Sequence, residues 1–111
     1  MNTLKDRQDF ITMNKKAARW TSHGLVLQAL PNDLDKQRVG FTVTKKTEKS
    51  AVKRNRMKRR LREIAREILP EHAPNGYDFV LIGRRLSATR PFDTLKNDLI
   101  WCLEKLELKK K

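Results

Sequence analysis

Six apolar residues, Met57, Leu61, Ile64, Ala65, Ile68 and Leu69, recur along the middle of the chain at intervals of three, four and seven. Residues that advance by about 100° each put such a set on one face, so the pattern predicts an amphipathic helix. Ser50 is placed to cap its start and Pro70 to stop it. The positions left between the apolar ones are mostly cations. Lys53 to Arg66 holds eight Lys and Arg residues in fourteen positions around the string Lys53-Arg54-Asn55-Arg56. Arg56, Arg59, Arg62 and Arg66 fall on the far or flanking faces of this helix. Arg54 lies within roughly 20° of the Leu61 meridian, two turns earlier, and is expected to project past the edge of the core toward whatever adjoins the helix N-terminus.

Elsewhere the periods change. Asp6 can cap a first helix over residues 7 to 18, with Phe10, Ile11, Met13 and Ala17 as its apolar positions. Leu25, Leu27 and Ala29 alternate with Val26, Gln28 and Leu30 in a strand that Pro31-Asn32-Asp33 ends. A strand from Arg38 to Thr44 sends Val39, Phe41 and Val43 to one face. Gly40, Thr42 and Thr44 go to the other and make a small, hydroxylated floor. Tyr77 to Ile82 is apolar at nearly every position, as for a strand buried on both faces, and Gly83-Arg84-Arg85 ends it. Pro91 and Asp93 start a last helix bearing Leu95, Leu99, Cys102, Leu103 and Leu106. Strand, basic helix and strand in succession imply a crossover between parallel neighbours, hence a compact α+β sandwich with a small mixed sheet. A right-handed crossover is the ordinary expectation. The 111 residues fit one domain, 1–111, with 108–111 a frayed basic tail.

Charge narrows the function. The chain carries a net +13, and residues 36 to 66 hold thirteen Lys or Arg against only Glu48 and Glu63, a net of +11. Concentrated like charge repels itself, whereas a phosphate backbone relieves that repulsion, so the excess points to nucleic acid. A broad basic band beside a hydroxylated strand face suits RNA, with its close phosphates and single-stranded tails, better than the major groove of DNA.

Other chemistries find little support. No unbroken apolar run exceeds the five residues Leu99 to Leu103, far short of a membrane span, and polar residues interrupt any signal-like segment at the start. The single cysteine, Cys102, can form neither an internal disulfide nor a cysteine-based zinc site and reads as a small buried hydrophobe. A cytoplasmic location is the default. His23 and His72 have no carboxylate or cysteine at ligand spacing. Glu63 and Glu67 lie four apart, as a metal-dependent nuclease would need, but Arg59, Arg60, Arg62 and Arg66 surround them and favour intrahelical ion pairs. No catalytic residue and no metal site is assigned to the polypeptide.

The string Arg38-Val39-Gly40-Phe41-Thr42-Val43-Thr44-Lys45-Lys46, then Ala51-Val52-Lys53-Arg54-Asn55-Arg56-Met57-Lys58-Arg59, then Leu61-Arg62-Glu63 closely resembles the signature region of the bacterial ribonuclease P protein subunit. The resemblance implies a two-layer α-β-β-β-α-β-α sandwich related to a ribosomal-protein-like fold, with a left-handed crossover through the basic helix. It implies a protein that binds a catalytic RNA and the 5′ leader of precursor tRNA. The RNA, with Mg²⁺, removes the leader endonucleolytically, and the protein alone binds no cofactor. Carried onto this chain, Lys53, Arg54, Asn55, Arg56, Lys58, Arg59 and Arg62 are the expected contact with the catalytic RNA. Phe10, Thr42, Thr44, Lys45, Lys46, Arg84 and Arg85 are the expected parts of the leader cleft, with Phe10 equally suited to the core.

Three departures from the family pattern stand out. Asn14 and Gln28 occupy positions where relatives often carry aromatics, which implies weaker leader stacking. Thr47-Glu48-Lys49-Ser50 replaces a more usual turn and is one residue longer, which leaves open any ion site there. The alternative reading is a ribosomal or general RNA-binding protein without a role in cleavage.

Overall fold

The computed structural model describes residues 2–109. Five strands, β1 (Asn2–Thr3), β2 (Ala18–Thr21), β3 (Leu25–Pro31), β4 (Arg38–Thr42) and β5 (Tyr77–Gly83), form one mixed sheet in the order β1-β4-β5-β3-β2. β4 and β5 pair in parallel, joined by the long helix α2 (Ala51–His72), and β5 pairs antiparallel with β3. The parallel pairing of the strands that the basic helix joins is thus as the residues predict. β5, hydrogen-bonded on both edges and covered on both faces, is the apolar strand for that reason.

Strand alternation sorts the core. Leu25, Leu27, Val39, Phe41, Phe79 and Leu81 face α2 and the last helix, α3 (Phe92–Lys105), in one continuous core with Leu61, Ile64, Leu95 and Leu99. Val80 on the opposite face meets Leu4 and Met13, with Phe10, Leu30 and Ile82 packed around them, beneath α1 (Arg7–Lys16). The main elements therefore run α1-β2-β3-β4-α2-β5-α3, the order the resemblance implies. To these the chain adds a two-residue β1 and a 3₁₀ turn at Arg85–Ala88.

Several boundaries differ from expectation. α1 ends at Lys16 because Ala17 turns extended and the next residues pair with β3. Periodicity misses β2, a four-residue edge strand exposed at every position. Pro70 does not stop α2, which continues to His72. A proline lacks one N–H and crowds the preceding turn, but here little helix remains to be broken. The end is held instead by Ala73 N–H on the Leu69 carbonyl and by Gln37, whose Nε2 donates to the carbonyls of Leu69 (2.8 Å), Ala73 (2.9 Å) and Pro74 (3.3 Å). Leu108 packs on the core with its N–H on the Leu103 carbonyl, so it is no part of a frayed tail; Lys110 and Lys111 lie outside the described residues.

Cys102 is buried, as the apolar stripe of α3 predicts, and burial pushes its thiol from an ordinary 9.0 up to about 11. Raised pKa in the folded state means that the contribution of this group to stability is complete below about pH 9 and is lost as pH rises toward 11. Iodoacetamide should therefore label Cys102 slowly in the folded chain at pH 8 and rapidly in denaturant. Fast labelling of the native protein would contradict the burial.

Candidate nucleic-acid interface

α2 begins where the sequence predicts, with the Ser50 hydroxyl accepting the Lys53 N–H at 3.3 Å. Met57, Leu61, Ile64, Ala65, Ile68 and Leu69 are its buried face, the same six residues that set the period. The cations around them divide into two groups.

One group is tied into the fold. Arg54 does not project freely past the core edge. Its Nη1 donates to the carbonyls of Glu48 (2.9 Å) and Lys49 (2.8 Å), because the loop entering α2 folds back over the first turn. Arg60 donates through Nε to the Ser87 carbonyl at 2.9 Å and through Nη2 to the Arg90 carbonyl, with its guanidinium 4.4 Å from the Phe92 ring centre. It thereby anchors the 3₁₀ turn and the start of α3 to α2. Arg62 lies over the Phe41 ring at 5.4 Å, and Arg66 pairs with Glu63 at 3.3 Å, the intrahelical pair expected. Glu67 is different: it meets Lys96 of α3 at 2.5 Å rather than a cation of its own helix, and raises the pKa of that lysine.

The other group is free. The side chains of Lys53, Asn55, Arg56, Lys58 and Arg59 make no hydrogen bond or ion pair among the described residues. Four of the five are exposed, and Lys58 is half-buried. Unpaired cations held on a rigid helix can meet phosphate with no internal partner to displace. The first turns of α2 thus present a surface of unpaired polar and cationic side chains, and Arg54 organises the loop beneath it. Arg54→Ala is expected to lower the melting temperature by roughly 5–10 °C, about 1–2 kcal/mol for two lost charge-assisted bonds at a half-exposed site. Unchanged thermal unfolding would show that the clamp is dispensable.

The expected leader residues are only partly gathered. Phe10 lies half-buried over Gly40, where a Cβ would stand 2.8 Å from its Cζ, so the glycine makes room for the ring. Thr42, two residues on, shares that sheet face, and Lys45 and Lys46 follow, exposed in the turn. Thr44 is not on the strand floor. β4 ends at Thr42, and the Thr44 hydroxyl lies 3.2 Å from that of Thr47 inside a helical turn closed by Thr47 and Glu48 N–H groups on the Thr44 carbonyl. Arg84 turns to the α3 side of the sheet and donates to the Ser22 carbonyl, while Arg85 is exposed in the 3₁₀ turn. In the longer turn, Glu48 accepts the Ser50 N–H at 3.1 Å. Asn14 and Gln28, the two departures, face one another: Gln28 Nε2 donates to Asn14 Oδ1 at 3.1 Å. A hydrogen-bonded polar pair thus stands between α1 and β3.

A mixed sheet flanked by three helices, one of them with an unpaired cationic surface, defines a small basic α+β protein. The chain belongs to the ribonuclease P protein family, whose sequence model matches residues 1–107. It is 43% identical over 111 residues to the ribonuclease P protein component of Paramagnetospirillum magneticum, covering 96% of this chain and 83% of the relative. With that of Gluconacetobacter diazotrophicus it shares 48% over 103 residues, covering 92% and 88%. In three dimensions it superposes on the ribonuclease P protein of Staphylococcus aureus with a TM-score of 0.80 at 25% identity, over 99% of each chain. The protein of Thermotoga maritima gives 0.76 at 29%, over 90% of this chain and 93% of that one. Membership supports a role in the ribonuclease P ribonucleoprotein and in tRNA processing.

Proposed function

We propose that this chain binds the catalytic RNA of ribonuclease P through the free cations of α2 and holds the 5′ leader of precursor tRNA against the α1 side of the sheet. The observation that carries this reading is the contrast within α2. Its neighbours are spent on internal contacts, yet Lys53, Asn55, Arg56, Lys58 and Arg59 are left without partners. Phe10, Thr42, Lys45 and Lys46 supply a ring, a hydroxyl and two cations along one path, contacts that tolerate any base sequence. Arg84 and Thr44, engaged elsewhere, leave this group.

The bond cleavage is assigned to the RNA, with Mg²⁺ required by the holoenzyme. The two carboxylates in the middle of α2, Glu63 and Glu67, are taken up by Arg66 and Lys96, which supports a binding role for α2 rather than a nuclease centre on it. Reconstitution with a bacterial catalytic RNA tests the reading. The protein should lower the Mg²⁺ concentration needed for precursor tRNA cleavage, and no effect at low Mg²⁺ would reject it.

A further inference from the structure

The chain has two tryptophans, and the fold brings them together at the edge farthest from β1. Trp20 on β2 and Trp101 on α3 meet edge to face, ring centres 5.9 Å apart. Each stays open to solvent, at 38% and 41% exposure. A surface tryptophan that keeps two-fifths of its area in water after finding an aromatic partner has a face to offer. The pair is also fixed in place. Cys102 Sγ donates to the Trp20 carbonyl at 3.7 Å, tying β2 to α3, and the register of β2 on β3 sets Trp20 opposite Leu27.

The surroundings are cationic. Lys105 Nζ stands 6.0 Å and 5.8 Å from the two ring centres, the outer limit of a cation–π contact, so its ammonium can reach a further anion. Beside Trp101 a groove of about 420 Å³ runs past His23 and Arg84. Its one carboxylate, Asp98, is held by Arg90 through bonds of 2.7 and 3.2 Å and is thereby neutralised. Exposed π-faces flanked by unneutralised cations match a chain that alternates bases with phosphates.

We propose that the Trp20–Trp101 face is a second RNA contact, which stacks unpaired nucleotides on the indole rings and takes their phosphates on Lys105 and Arg84. It lies on α3 and β2, apart from the free surface of α2, and rests on the reading of the chain as an RNA-binding protein. It accounts for the turning of Arg84 toward α3, away from the leader face.

Because these are the only tryptophans, the indole emission of the intact chain reports this face alone. Titration with octauridylate, an RNA with little structure of its own, should quench that emission in step with the anisotropy of a labelled octamer. Trp101→Ala should weaken octamer binding roughly tenfold and Trp101→Phe should recover most of it. Lys105→Gln should lower the salt slope by about 0.7. Binding seen by anisotropy with unchanged emission would overturn the site while leaving α2 as the RNA surface. No octamer binding by either signal would overturn the proposal, while binding to structured RNA tests α2 separately. An emission change that follows protein concentration, with a dimer in sedimentation, would show that a second copy covers the rings and would also overturn the proposal.

Discussion

Replacing Lys53, Arg56 and Arg59 together by Gln should weaken binding to structured RNA about a hundredfold at 0.15 M salt, with little change in thermal unfolding. The estimate follows from counterion release. Three lost phosphate contacts at about 0.9 each flatten the salt dependence by roughly 2.7, which between 1 M and 0.15 M amounts to about two powers of ten. Stability should hold because none of the three side chains has an internal partner, and relief of like-charge repulsion works in its favour. Binding isotherms from 0.1 to 0.5 M salt measure the slope directly. A slope equal to that of the parent would remove this surface from the RNA contact. Arg60→Gln is the internal control: the same charge is lost, but from a residue that anchors the 3₁₀ turn, so the melting temperature falls while the salt slope changes less.

That contrast marks the boundary between what the residues announce and what only the fold reveals. The buried face of α2, the double-sided burial of β5 and the alternation of β3 and β4 follow from local period, because each records which side of one element meets the core. The fate of a cation is not local. Arg54, Arg56 and Arg60 are chemically alike within seven residues. Whether each is free depends on the 48–49 loop, which folds back, and on the 3₁₀ turn, which comes from beyond β5. The same holds for Thr44, whose hydroxyl leaves the strand pattern once a turn competes for it. Edge strand β2 hides for the opposite reason, since a strand exposed at every position carries no alternation. Trp20 and Trp101 are separated by most of the chain and become a site only when β2 and α3 meet.

The second large effect lies at the opposite end of the strands from the Thr42 turn. Asp78→Ala should cost about 2–4 kcal/mol and lower the melting temperature by roughly 10–20 °C while leaving the salt slope of RNA binding unchanged. Asp78, at 6% exposure, accepts Arg38 Nε at 2.9 Å, Arg38 Nη2 at 2.7 Å and Asn32 Nδ2 at 2.8 Å. These bonds join the start of β4 to the start of β5 and fasten the loop after β3 to both. Loss of the carboxylate strands a guanidinium and an amide together, which is worse than never having built the pair. The Arg38 side chain is 31% exposed, so water softens the penalty and sets the figure below that of a fully buried pair. Arg38→Met combined with Asp78→Leu should recover part of the loss by replacing the pair with apolar contact, a double-mutant cycle that isolates the coupling. An unchanged melting temperature in Asp78→Ala would show that the parallel pairing of β4 and β5 is held by the core alone. A changed salt slope would mean that the register of these strands also sets the position of α2, which connects them.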